Sequence, residues 1–284
     1  IPPGLLQVTF LGIQNYPVNP RREYRDYGDK LYIGPAATTG YTFIIRDRAK
    51  ARYVDLEGKD LSNYSFVKSG FYKANLSKTK LENTIFEHSN LWGVNLKGAK
   101  TKNTSFCHTN LCDADLSGAE FGRNTDMYGA NLMGANLSNT NLTYVNLTNA
   151  LYNKTTIFPD NMEERKLKRM ILVEDGADLS NLDLEYSKMR YLTINNANFE
   201  NSSLKRADMK AWEANRCNFK NIDLTRAYAR EMVATNCDFS GADMTQTNFD
   251  KAVFNNVNMR NVDLSGAIFT FKEANGLILE GAKY

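Results

Sequence analysis

The sequence predicts an all-β solenoid. Two observations carry that prediction: an apolar residue recurs every five positions, and a small residue recurs two positions before it. The pattern is plainest between Ala130 and Tyr152, where ANLMG, ANLSN, TNLTY and VNLTN follow one another. Self-similarity at a fixed period marks a repeat architecture, in which one unit cannot bury its apolar face alone and stacking of successive units does so. With the central apolar residue called position i, Leu56, Leu61, Phe66, Phe71, Leu76, Leu81, Phe86, Leu91 and Leu96 step by five without error. Thr101 is a weak unit, and the series resumes at Phe106, Leu111, Leu116 and Phe121. One extra residue then enters, so the next centre is Met127, followed by Leu132, Leu137, Leu142 and Leu147. A second series steps by five from Leu179 to Leu279.

A period of five fits neither an amphipathic helix, with spacing near 3.6, nor a half-buried strand, which alternates strictly. Position i−2 is occupied by Ala74, Ser89, Ala99, Ala114, Ala135, Ala197, Cys217, Cys237 and Ala252 among others. Residues two apart on an extended backbone point to the same side, so a small and a large side chain both face inward. Asn or Asp at i−1 and mixed polar residues at i+1 and i+2 then point outward or turn the corners, where such residues suit tight turns.

These A(D/N)LXX units resemble the pentapeptide-repeat family. The matching motifs are ADLSG at 114–118, ANLMG at 130–134, ANLSN at 135–139, ADLSN at 177–181, GADMT at 241–245 and VDLSG at 262–266. The resemblance covers residues 54–284 and implies a right-handed, quadrilateral parallel β-helix with four pentapeptides per coil. LYNKTTIFP at 151–159 is similar to a short non-repeat excursion of cyanobacterial and plastid members, which points to a plastid, another organelle or a cyanobacterial compartment. The implied organisation is a non-repeat N-terminal cap or arm at 1–53, a first β-helical stretch at 54–157, a helical insertion at 158–176 and a second stretch at 177–284.

Four units per coil can be tested on the sequence, because residues 20 apart should then sit above one another at the sheet spacing of about 4.8 Å. Phe66, Phe86 and Phe106 form one column, Leu56, Leu76, Leu96 and Leu116 another, and Phe199, Phe219 and Phe239 a third. Trp212 and Met232 stand at i−2 where the centres are Ala214 and Ala234, so large and small exchange places at constant interior volume.

Position 1 is Ile, which reads as a processed or trimmed N-terminus, and no apolar run approaches bilayer length. Four cysteines in 284 residues are no disulfide framework, and Cys217 and Cys237, both inward, are expected as stacked buried thiols. Residues 1–53 differ in kind: they hold five of the six prolines and eight Lys or Arg against four Asp or Glu, net +4. Residues 54–284 carry 27 basic against 28 acidic side chains, or −1. Strand-like runs at Gln7–Ile13 and Tyr41–Ile45 suggest that part of this region folds, as a cap over an otherwise bare coil end. Alternatively Arg21, Arg22, Tyr24, Arg25 and Tyr27 bind a partner, since Arg and Tyr are enriched at interface anchors. In the insertion, Asp160 can cap a helix over 161–175 with Gly176 as its stop, Glu164 can pair with Lys168, and Arg165, Lys166, Lys168 and Arg169 form a basic cluster that could touch an acidic surface.

Catalytic motifs are missing: there is no Walker loop, GxSxG, HExxH or CxxC pair, and no cofactor is implied. The only two histidines, His88 and His108, stand 20 apart at i+2 beside Glu87 and Cys107, a weak candidate for a shared metal ion against the plainer reading of a solvent-facing corner. The leading function is a non-enzymatic scaffold or adaptor that holds protein partners, as a subunit or assembly factor of a larger complex, with no nucleic acid expected. The resemblance offers one alternative, inhibition of DNA gyrase by mimicry of duplex DNA. Such mimicry asks for a strongly acidic surface, which a repeat region of −1 does not supply.

Overall fold

A computed structural model describes residues 48–284 in full and, ahead of them, the backbone of three strands, β1 (Leu6–Leu11), β2 (Ile33–Ala36) and β3 (Gly40–Ile45). β3 lies between β1 and β2 and is antiparallel to both, with Leu6 opposite Ile45 and Ile33 opposite Phe43. The two strand-like runs read from the sequence are therefore partners in one small sheet.

From Lys50 onward the chain is a parallel β-solenoid. Lys50 pairs with Gly70, Asp55 with Asn75, Asp60 with Lys80 and Ser65 with Ile85, so four pentapeptides fill each 20-residue turn. Most centres donate their N–H to the carbonyl of i−1 one turn on, as Leu56 does to Asn75 at 2.8 Å and Phe66 to Ile85 at 2.7 Å. Residue i+2 donates likewise to i+1 of the next turn, as Gly58 does to Ser77 at 2.8 Å. The ladder begins one unit before the first centre read from sequence, with Ala51 at the centre and Ala49 at i−2, both buried. A small centre hides that unit from a search for large apolar residues.

The outward positions have specific duties. Position i+2 takes the left-handed conformation in most units, including non-glycines such as Lys68 (φ 58°), His88 (φ 57°) and Arg206 (φ 56°). The Asn or Asp at i−1 accepts a hydrogen bond from the backbone N–H of i+1, as Asn75 does from Ser77 at 3.1 Å. Its amide also donates to the matching side chain one turn back: Asn75 to Asp55 at 2.9 Å, Asn95 to Asn75 at 3.2 Å. At i−2, Ser and Thr hydroxyls mostly bond to backbone carbonyls, which offsets the cost of burying them, while the buried Ser187 hydroxyl makes no such bond among the described residues. Thr84, Thr104 and Thr109 donate to the carbonyls of Leu61, Leu81 and Phe86 at 2.8, 2.6 and 2.7 Å.

The chain divides into two compact units. The first comprises Ile1–Met127, Ala135–Asn146 and Ile157–Met162. Its interior holds the column Phe66, Phe86 and Phe106, with successive ring centroids 5.2 and 5.4 Å apart and all three rings fully buried. Thr101, the weak centre, is fully buried and meets Thr125 at 3.2 Å between hydroxyl oxygens. The extra residue before Met127 lengthens the register from 20 to 21, so Ser105 pairs with Asp126. It is accommodated beside Gly122, where a Cβ would lie 2.6 Å from Lys102 Cβ and 2.7 Å from Lys102 Cα. Only glycine fits that approach.

The second unit comprises Tyr128–Gly134, Leu147–Thr156 and Glu163–Tyr284. Within it β4 (Leu151–Tyr152) pairs in parallel with β5 (Ile171–Leu172), and a short helix, α1 (Glu164–Leu167), lies between them. The helix is shorter than the 161–175 read from sequence, because Met170 and Val173 are buried and the apolar run 170–173 is taken by the ladder. Asp160 is not its cap: the N-cap is Glu163, which makes no side-chain capping bond. Further on, β6 (Thr193–Asn195), β7 (Glu213–Asn215), β8 (Val233–Thr235), β9 (Val253–Asn255) and β10 (Glu273–Asn275) form a five-stranded parallel sheet. Phe199, Phe219 and Phe239 stack at 5.0 and 4.5 Å. Trp212 is fully buried and donates its indole N–H to the Met189 carbonyl. Cys217 and Cys237 are buried and unbridged, and each thiol points at a backbone carbonyl, Ile194 at 3.6 Å and Ala214 at 3.5 Å. The Cys217 sulfur and burial together push the Cys237 thiol well above its ordinary range.

Candidate partner-binding surfaces

A solenoid whose interior is filled by its own side chains offers function only on its outward positions, so the surface is where each sequence candidate has to be judged. Arg21, Arg22, Tyr24, Arg25 and Tyr27 lie outside the described residues. In the helix region, Arg165 pairs with Glu163, and Lys168 meets Glu164 at 3.1 Å across one helical turn, as their spacing predicts. Burial lowers the pKa of Lys166. The Arg169 carbonyl accepts the Asn149 N–H at 2.8 Å, which ties this end of the cluster to the ladder.

His88 and His108 do meet, as parallel rings with centroids 5.2 Å apart and planes 5° apart. Glu87 accepts a hydrogen bond from Ser105 at 3.0 Å. Burial pushes the Cys107 thiol up to about 11, the opposite of what a thiolate ligand or nucleophile needs. Among the described residues no group of three or more His, Cys, Asp or Glu side chains is placed to hold a metal ion.

Sequence reasoning missed an aromatic stripe on the first unit. Tyr72 and Trp92 occupy i+1 positions one turn apart with ring centroids 4.7 Å apart, and Tyr53 abuts Tyr72 edge-on at 5.4 Å. The Lys73 ammonium lies over both rings, 5.7 Å from the Tyr72 centroid and 5.4 Å from that of Trp92. Trp92 donates its indole N–H to Asp113 at 2.7 Å, which fixes the ring on the surface. Tyr53 is 66% exposed. The signal was available: the 20-residue test that found the phenylalanine columns, applied to outward positions, brings Tyr72 and Trp92 together.

Parallel 20-residue turns, a core of stacked centres and a surface of Asn ladders define a pentapeptide-built β-solenoid. The family model described as pentapeptide repeats matches in eight copies over residues 89–123, 123–151 and 235–270, which identifies those segments as pentapeptide repeats. Solved structures with matching chains include HetL, a pentapeptide repeat protein involved in heterocyst differentiation regulation from the cyanobacterium Nostoc sp. strain PCC 7120. It is 21% identical, with 84% of this chain and 87% of that chain covered, at a TM-score of 0.37. A pentapeptide repeat protein from the Arabidopsis thaliana thylakoid lumen is 25% identical over 43% of this chain and 81% of its own, at 0.32. QnrB1, a plasmid-mediated fluoroquinolone resistance protein, is 15% identical over 84% and 92%, at 0.17. No curated protein sequence matches the chain. No helix among the described residues is long and apolar enough to cross a membrane.

Proposed function

We propose that this chain is a non-enzymatic scaffold that docks protein partners on the departures from its repeat. The observation that carries the reading is the stripe of Tyr53, Tyr72 and Trp92. The repeat asks nothing aromatic of outward positions, yet here three aromatic side chains with a lysine and an aspartate are gathered on one surface. Aromatic residues of this kind anchor protein interfaces, offering large contact area at small entropic cost. The arm bearing Arg21, Arg22, Tyr24, Arg25 and Tyr27, and the helix-region cluster of Arg165, Lys166, Lys168 and Arg169, are further docking elements in this reading. It involves no cofactor and no nucleic acid.

Tyr72→Ser combined with Trp92→Ser tests it. Partners recovered by affinity capture with the unaltered chain should be lost with the double variant while the melting temperature stays nearly constant. Recovery of every partner by a stably folded double variant would remove the stripe from the binding surface.

A further inference from the structure

We propose that Arg206 and Arg226, on the second unit, dock an acidic segment of a protein partner; the inference rests on the scaffold reading and gives the partner its chemistry. The two arginines occupy i+2 positions in successive turns, and each backbone N–H is fixed to the next turn, Arg206 to Thr225 and Arg226 to Thr245, both at 2.9 Å. Both residues are exposed. Their guanidinium groups are held by neutral partners: Arg206 lies over the Tyr186 ring at 5.4 Å and donates to its hydroxyl, and Arg226 donates to Gln246 at 2.7 Å.

Three other arginines of this unit meet acids across the ladder. Arg190 meets Asp208 at 2.6 Å, Arg230 meets Asp250 at 2.9 Å and Arg260 meets Glu280 at 3.1 Å. Arg206 and Arg226 instead stand one turn apart, about 4.8 Å on the backbone, with side chains that reach in opposite directions, to Tyr186 and to Gln246, and among the described residues no carboxylate is paired to either. Each planar guanidinium group can grip one oxyanion with two parallel N–H bonds, so the pair suits a segment that carries more than one. Lys205 adds a third cation beside them.

The neighbouring column selects the kind of anion. Three residues before Arg226 stands Asp223, which is bridged to Asp243, and Asp243 to Asp263, in successive turns. A nucleic-acid strand, carrying charge without interruption, would meet that acidic column. A short peptide with a few carboxylates or phosphoserines can address the arginines alone.

Fluorescence anisotropy on the full chain provides the test. The probes are a fluorescein-labelled peptide of alternating glutamate and phosphoserine, and a single-stranded oligonucleotide of equal charge. The peptide should bind at low salt, tighter than the oligonucleotide, and Arg206→Gln with Arg226→Gln should weaken it at least tenfold. Arg206→Lys with Arg226→Lys, which keeps the charge and removes the fork, should weaken it severalfold; this pair decides if the Gln pair melts early. No peptide binding, unchanged affinity in either double variant, or tighter binding of the oligonucleotide would overturn the proposal. If the peptide fails while capture of partners still depends on Tyr72 and Trp92, this inference falls and the scaffold reading stands.

Discussion

The two units close their corners differently. In the first unit corner after corner is a turn with a backbone bond from i−2 of the next pentapeptide to the preceding centre. Ser69 donates to Phe66 at 3.1 Å, Ala74 to Phe71 at 2.9 Å, Thr79 to Leu76 at 3.3 Å and Thr84 to Leu81 at 3.1 Å. In the second unit three consecutive corners keep this bond, as in Ala207 to Leu204 at 2.9 Å, Trp212 to Met209 at 3.2 Å and Ser202 to Phe199 at 3.1 Å. At the fourth the chain stays extended through i+1, and those segments are β6 to β9, each followed by Ala197, Cys217, Cys237 or Val257. The register is the same in both. A five-residue period thus specifies which residues stack and leaves the corner free to be a closed turn or an extended strand.

The largest expected effect probes what the units share. Phe86→Asp in the first and Phe219→Asp in the second should each destabilise by more than about 4 kcal/mol in chemical denaturation, because each removes a fully buried ring from a stacked column and leaves a carboxylate unpaired. Lys97→Ala, at an exposed outward position, should change stability by less than about 0.5 kcal/mol. Equal shifts for all three would remove the distinction between inside and outside.

Next in size is a change confined to the first unit's register shift. Gly122→Ala should cost about 1–3 kcal/mol, since its methyl would press on the Lys102 backbone. Gly118→Ala, with open space around it and only its φ of 62° to strain, should cost about 1 kcal/mol. A harmless Gly122→Ala would mean that the extra residue is absorbed elsewhere.

A smaller effect separates the two kinds of corner. Lys68 at a closed corner and Arg216 at an extended one have φ of 58° and 55°. Asparagine tolerates that conformation better than either, so Lys68→Asn and Arg216→Asn should each raise stability by about 0.5–1 kcal/mol. A gain at Lys68 alone would show that the extended corner relieves the strain by other means.

The smallest effect is a pH dependence at Asp263. Hydrogen bonds from Lys283, at 2.7 Å, and from Ser265 hold its carboxyl at about 2, below the ordinary 3.8. A depressed carboxyl contributes stability that is complete above the unfolded value and fades as pH falls through the folded one. Melting followed from pH 5 down to about pH 2 should therefore show an acid loss in the native chain that is reduced in Asp263→Asn.

Much of the fold was legible because its rule is local and repeated. Phe66, Phe86 and Phe106 announce a column by spacing alone, and Trp212 beside Ala214 announces an exchange of volumes. What was not legible depended on residues that look ordinary alone. Asn75 reads as a turn residue, and only the 20-residue register shows that it also bonds Asp55 one turn back. The run 170–173 carries helix formers, but pairing with Leu151 and Tyr152 outweighs propensity there. The stripe of Tyr72 and Trp92 escaped because outward residues carry no periodic apolar signal, and the meaning of such a residue comes from its neighbour one turn away.

The central claim is that residues 20 apart stack in both units, and proton NMR on chain with selectively labelled phenylalanine tests it most directly. Ring-to-ring nuclear Overhauser effects should link Phe86 with Phe66 and Phe106, and Phe219 with Phe199 and Phe239, at the 4.5–5.4 Å centroid spacings of the two columns. Absence of those effects in a folded sample, with Phe86 or Phe219 contacting only sequence neighbours, would contradict it.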